Sequence, residues 1–299
     1  MKNRIFWICI FFLIFLQVNC EQGSSQTATE GLLALLNQPS KAGPENPGSG
    51  PEEPEQPTDP VQEGTWLADT VTEAPGHTGS GFQDKAKLIN GVRGGGTGAG
   101  GTDVFSLQYS STNTPPNDYV ILEWSGSKIT NGVGIDFIVF ENGFKVGTTT
   151  NYFMDIIIVE VSNDLANWCG FNPDYVFSPE TTYSKDPASW LRFAGRMPVL
   201  FHETNNNFGY DPALVFDTNN SGGDGFDLDN LSDVSNTAGG SGCTSVLKTE
   251  LQSGFTYLRL SSASSNRWKN PDTNAIFVKE AISNGPDIDG VYARYKIAR

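Results

Sequence analysis

The chain has 299 residues, of which 19 are basic and 34 acidic, giving a formal net charge of −15. That balance, with no basic patch, argues against nucleic acid as a partner and, by charge alone, against binding to anionic lipid head groups. An acidic chain with 33 glycines suits an extracellular protein that uses carboxylates for Ca²⁺, and it suits simple solubility equally well.

The amino terminus carries Lys2 and Arg4, followed by an unbroken apolar run from Ile5 to Leu16. The run is shorter than the roughly 20 residues a spanning helix needs, and a basic flank before such a core reads as an export signal over residues 1–19. The segment ends Leu16-Gln17-Val18-Asn19-Cys20. This resembles a bacterial lipobox, with Leu one position further from the Cys than usual and Asn19 in place of a small residue. Relaxed boxes of this kind are similar to those of spirochaete lipoproteins. The resemblance implies that Cys20 is acylated and holds the protein on a membrane, outer membrane or cell surface in preference to inner membrane. The alternative is an ordinary signal peptide with Cys20 incidental. With Cys9 lost and Cys20 acylated, Cys169 and Cys243 remain. In an oxidising compartment they form one disulfide, the alternative being two buried thiols.

Residues 20–63 read as an acidic tether. Thr27 to Gln38 is a short helical candidate, with Thr27 and Glu30 at capping-box spacing before Leu32, Leu33, Leu35 and Leu36. Pro39 to Pro60 is rich in Pro, Glu and Gly and has almost no apolar content, so it builds no core. Residues 64–299 form one β-domain. Strand candidates are Tyr119–Trp124, Asp136–Glu141, Phe153–Val161, Met197–His202, Ala213–Phe216, Phe255–Leu260, Ile276–Ile282 and Gly290–Ile297. Val120, Leu122 and Trp124 share one face, whereas Ile156 to Val159 is apolar on both faces, as in a central strand. Short strands separated by turn residues, with no long amphipathic helix, predict an all-β sandwich or barrel.

One segment has metal-loop spacing. Asp217, Asn219 and Ser221 alternate before Gly222, as in a Ca²⁺ loop, but Leu228 stands where the closing Glu belongs. Asp224, Asp227 and Asp229 follow at once, and Asp287 and Asp289 open the last strand. These eight residues are the candidate ligands for a structural Ca²⁺; the alternative is an Asx-turn-rich loop that needs no metal. Glu141-Asn142-Gly143 is a weaker candidate, its alternative a hairpin turn. Gly96, Gly98 and Gly101 formally match a dinucleotide fingerprint, but a strand-like segment follows rather than a helix, so no nucleotide is expected. Their bland role is positive φ or close backbone approach.

Catalysis has little support. His202-Glu203 begins a zinc-protease motif that fails at Asn206, the second histidine is His77, and no Gly-x-Ser-x-Gly elbow exists. Paired carboxylates of a glycosidase would be invisible in sequence, so a carbohydrate-active enzyme stays as the alternative. Trp168, Tyr183, Trp190, Tyr210 and Trp268 lie in or beside loops, as sugar-stacking platforms or as covers for the ends of the sandwich.

Four segments carry a resemblance: the glycine run through Asp103-Val-Phe-Ser-Leu107, Gly134-Ile-Asp-Phe-Ile-Val-Phe-Glu-Asn-Gly-Phe144, Val159-Glu-Val-Ser-Asn-Asp164 and Gly222-Gly-Asp-Gly-Phe-Asp-Leu-Asp229. Together they resemble a family of bacterial cell-surface proteins, in its Leptospira lipoprotein branch, whose biochemical function is unassigned. More broadly, Val159-Glu-Val-Ser162, Asp164, Trp168 and Tyr257-Leu-Arg-Leu260 resemble galactose-binding-like, discoidin-type jelly rolls, although Leu165 replaces the usual Gly of the Asp turn. That resemblance implies a jelly-roll β-sandwich binding sugars, lipids or proteins through loops at one end, often with a structural Ca²⁺. The expectation is therefore a lipid-anchored binding or adhesion module for a host or envelope glycan or protein. The alternatives are the enzyme above and a structural envelope lipoprotein with no soluble ligand.

Overall fold

The computed structural model describes residues 60–109, 117–205, 209–232, 243–265 and 268–299. The described residues all belong to one compact unit, Pro57–Arg299. The export signal, Cys20 and the helical candidate at 27–38 lie outside the described residues, as does the tether apart from its last few residues.

Two antiparallel sheets dominate, with strands numbered in chain order. In the first, β1 (Gln62–Leu67), β15 (Asp287–Ala298), β6 (Phe137–Glu141) and β13 (Asp224–Phe226) lie side by side, and β3 (Phe105–Ser106) and β5 (Ser127–Ile129) also pair with β15. The second runs β10 (Cys169–Gly170), β9 (Ile157–Ser162), β14 (Tyr257–Ser262), β4 (Tyr119–Glu123) and β2 (Thr70–Glu73). Two small ribbons join β7 (Phe144–Lys145) to β8 (Tyr152–Phe153) and β11 (Asp174–Tyr175) to β12 (Trp190–Leu191). Among the described residues the α-helices are α1 (Thr218–Ser221) and α2 (Ser245–Ser253). The fold is thus all-β and sandwich-like, and its first strand begins at Gln62, ahead of the expected boundary at residue 64.

Side-chain alternation explains the layers. Phe137 and Val139 of β6, Val120 and Leu122 of β4, Val159 and Val161 of β9, and Leu258 and Leu260 of β14 meet in one buried core shared by the two sheets. The opposite face of β6, Ile138 and Phe140, is covered by Val199, Phe201 and Val215. The opposite face of β9 places Ile158 against Trp190, Phe193 and Trp268. Covered on both sides, β6 from Phe137 to Phe140 and β9 from Ile157 to Val159 are apolar on both faces, which is why they read as central strands. Phe137 sits at the middle, stacked on Phe226 at 5.3 Å and edge-on to Phe255 at 5.7 Å. Cys169 of β10 is disulfide-bonded to Cys243, just ahead of α2. Thr244 caps that helix by accepting a hydrogen bond from the Leu247 amide at 3.2 Å.

Four strand expectations need correction. Met197–His202 is extended and buries Val199 and Phe201, but it makes only isolated bridges, Val199 to Gly222 and His202 to Arg93. Its apolar alternation reflects packing, not a ladder. Ala213–Phe216 is replaced by a 3₁₀ turn at Pro212–Leu214, because Asp211 caps the Ala213 amide at 2.9 Å and Pro212 presets the first helical φ. Ile276–Ile282 forms no strand beyond a bridge between Ile276 and Lys269, and both end residues are exposed. Phe153–Val161 is two strands, since β8 ends at Phe153 and β9 begins at Ile157. The interruption contains Asp155.

A carboxylate-lined pocket at the end of the sandwich

The eight candidate metal ligands are dispersed over separate local roles. Asp217 caps α1, accepting from the Asn219 amide at 3.1 Å and from Asn220 Nδ2 at 2.6 Å, while Asn219 itself is exposed. Ser221 Oγ donates to the carbonyls of Asp217 and Gly222. Gly222 has φ +70 and, as the spacing anticipates, makes the sharp bend. Asp224 is buried against Arg196, at 2.9 Å from Nη2, and also accepts from the Arg196 amide at 2.8 Å. Asp227 caps the next 3₁₀ turn through the Asp229 amide, and Asp229 accepts from Asn131 Nδ2 at 2.7 Å. Asp289 is buried and accepts from the Arg93 amide at 2.8 Å. Hydrogen bonds to these side chains run through the whole loop. Among the described residues, no group of three or more His, Cys, Asp or Glu is disposed to hold a metal ion.

Asp287 belongs elsewhere. It stands where β15 starts and β6 ends, with Glu141 paired to Ile288 across the ladder. Its amide donates to Glu141 Oε1 at 3.0 Å, and the Asn142 amide donates to its carbonyl at 3.0 Å. Glu141 continues the alternation of Phe137 and Val139, so the strand carries its carboxylate inward, where it is 2% exposed. Its Oε2 has no hydrogen-bond partner among the described residues. Asp155, in the break between β8 and β9, is also buried and accepts from Tyr109 Oη at 3.0 Å. Ser106 Oγ donates to Asp287. Glu280, buried nearby, has Lys185 at 3.9 Å.

Burial, which disfavours the charged form, controls the ionisation of this group. It pushes Asp155 up to about 7; hydrogen bonds from Ser283 and Tyr109 pull the other way, and the charges of Asp287 and Glu280 reinforce the rise. Burial likewise lifts Glu141 well above the usual carboxylate range, helped by Asp155 and Asp287. Asp287 is raised by burial against the hydrogen bonds of Ser106 and Asn142. Burial therefore favours the protonated forms of Glu141 and Asp287 and pushes Asp155 toward neutrality.

Asp155, Asp287, Ser106 and Ser283 line a pocket of about 170 Å³, with Phe82 and Phe153 among its walls. Acceptors, hydroxyls and aromatic rings thus converge on a space for one small polar molecule. Sequence reading placed Asp155 inside a strand and missed it as a site residue. The available signal was a single acidic residue interrupting Phe153-Met-Asp-Ile-Ile-Ile158.

The other motifs resolve into packing. The glycine run crosses close to its neighbours, and a Cβ on Gly100 would overlap the Asn142 side chain. Arg93, leading into it, pairs with Asp103 at 2.6 Å. His77 packs edge-on to Phe105, while His202 Nδ1 accepts from the Thr204 amide at 3.2 Å, so the histidines serve different neighbours. Trp168, Trp190 and Trp268 are buried and form no surface platform. Arg259, ion-paired to buried Glu160 at 2.6 Å, stacks over Trp168 at 4.0 Å.

Comparison with family models, with curated proteins and with solved structures found no match for this chain.

Proposed function

We propose that this protein is a binding module of the cell envelope, lipid-anchored through Cys20, that takes one unit of a glycan in the Asp155–Asp287 pocket. The observation that supports this reading is the convergence of two carboxylates, two serine hydroxyls and two phenylalanine rings on one small space. Carboxyl groups and serine hydroxyls exchange hydrogen bonds with sugar hydroxyls, each worth about 0.5–1.5 kcal/mol net, and aromatic rings cover the apolar face of a pyranose. The two sheets are read as a jelly roll, a reading supported by their antiparallel pairing and shared core.

A glycan array probed with the mature chain tests the proposal. Saturable retention that Asp155→Asn weakens at least tenfold, with an unchanged circular dichroism spectrum, is expected. Absence of retention, or retention indifferent to Asp155→Asn and Asp287→Asn, overturns it. Labelling with radioactive palmitate, lost in Cys20→Ala, tests the anchor. Protease shaving of intact cells tests display: a domain cut from the surface supports it, and a protected one places the protein inside the envelope as a structural component. Calcium enters the proposal as a stabiliser of the 217–229 loop. A midpoint lowered by EDTA supports it, and an unchanged midpoint with no metal recovered removes it.

A second reading has its own observation. Carboxylates pushed up toward neutrality beside a pocket are suited to proton transfer, as in acid–base hydrolysis of a glycoside. Release of reducing sugar from a bound glycan, abolished by Asp155→Asn, would establish it over simple binding.

A further inference from the structure

A second pocket, sharing no residue with the first, has opposite character. It encloses about 290 Å³ and is lined by Arg192 and Arg196, the rings of Phe171, Phe193 and Phe226, and the Asn230 side of the loop. The three rings are buried and form an apolar floor. Both guanidiniums are fixed through their Nε atoms to backbone carbonyls, Arg192 to Asn172 at 2.6 Å and Arg196 to Phe193 at 2.9 Å. Arg196 is further held by Asp224, which balances its charge. Arg192 makes no salt bridge among the described residues. The one carboxylate of the lining, Asp227, is turned to the Asp229 amide at 2.9 Å.

Backbone conformation adds an independent observation. Arg192 has φ +62, left-handed for a residue with a long side chain. Such conformations cost about 1–3 kcal/mol and persist where the surroundings impose them, often at ligand sites. Here the strained residue is the one that carries an unpaired positive charge onto the pocket wall, in a chain of net charge −15.

We infer that this pocket binds a small ring-borne carboxylate. The Arg192 guanidinium, with Arg196 in the same lining, matches the planar carboxylate, and the phenylalanine floor matches the flat face of the ring. Two sources share this chemistry, an acidic sugar and an aromatic acid, and the size of the pocket suits either.

Isothermal titration of the mature chain with benzoate and with glucuronate tests the inference, using benzamide and glucose as neutral counterparts. At least one carboxylate should bind tenfold or more tightly than its neutral counterpart, and the preferred one identifies the ring. Arg192→Gly should weaken that binding at least tenfold, because glycine adopts the same φ without strain and only the guanidinium is lost. Arg196→Lys should weaken it less, keeping charge without the fork. Asp155→Asn should leave it unchanged, which separates this site from the glycan pocket proposed above. Neither acid outbinding its neutral counterpart, or binding indifferent to Arg192→Gly, overturns the inference.

Discussion

Leu165 has φ +64, the left-handed conformation usually left to glycine. It is held there because Asp164 gathers the amides of Ala166 at 2.9 Å and Asn167 at 2.8 Å, and those bonds keep its carboxylate down at about 2. The Asp turn is thus preserved where the sequence departs from Asp-Gly, and the departure was legible while its geometry was not. Leu165→Gly should relieve the strain, offset by the greater chain entropy of glycine, for a net gain of about 0.5–1 kcal/mol. Urea denaturation measures it, and a loss of stability would show that the exposed Leu165 side chain contributes more than its backbone costs. Asp155 teaches the converse. Its charge in an apolar run was visible, but nothing in one dimension shows Tyr109 and Ser106 arriving from another part of the chain. Asp217, Asn219 and Ser221 had metal-loop spacing because Asx caps and metal loops place the same short oxygen side chains at the same short intervals.

At the scale of elements, legibility followed burial pattern. β4, β6, β9, β14 and β15 were readable because each buries apolar side chains along a multi-residue ladder. The 197–202 segment carries the same alternation, but its backbone divides its bonds between Gly94 and Gly96 on one side and the 221–223 turn on the other, so no ladder forms. Cysteine arithmetic anticipated the disulfide, and both sulfurs are buried. It ties the edge strand β10 to the entrance of α2 across a sequence separation of 74 residues. A loop of that length is credited with about 4 kcal/mol by the chain-entropy model. Reduction, or Cys169→Ala with Cys243→Ala, should therefore lower the thermal midpoint by roughly 10 °C at the 2–4 °C per kcal/mol usual for domains of this size. A midpoint moved by less than about 2 °C would mean that the unfolded chain is already compact across this loop.

The whole molecule carries an unusual amount of buried acid. Asp136, Asp155 and Asp289 are each pushed up to about 7 from 3.8, with burial the largest cause in every case. Between about pH 4 and pH 7 the folded protein therefore binds more protons than the unfolded chain, so stability falls as pH rises. Their contribution is complete below pH 4 and lost as pH passes through 7. The thermal midpoint should be several degrees higher at pH 5.5 than at pH 8, and Asp289→Asn should flatten that slope. A midpoint that is flat or rises over this range would mean that these carboxylates are ionised in the fold.

Strand β15 lies between β1 and β6 and also pairs with β3 and β5, yet it occupies residues 287–298. During synthesis, the earlier strands of that sheet exist without the partner that satisfies their edges. Closure of the sheet waits for residues 287–298 and joins segments more than 200 residues apart, as in the pairing of Leu67 with Tyr292. Long-range closure of this kind is slow. A chain assembled in this order stays threadable until residues 287–298 are free, and one released at residue 286 should remain unfolded and protease-sensitive.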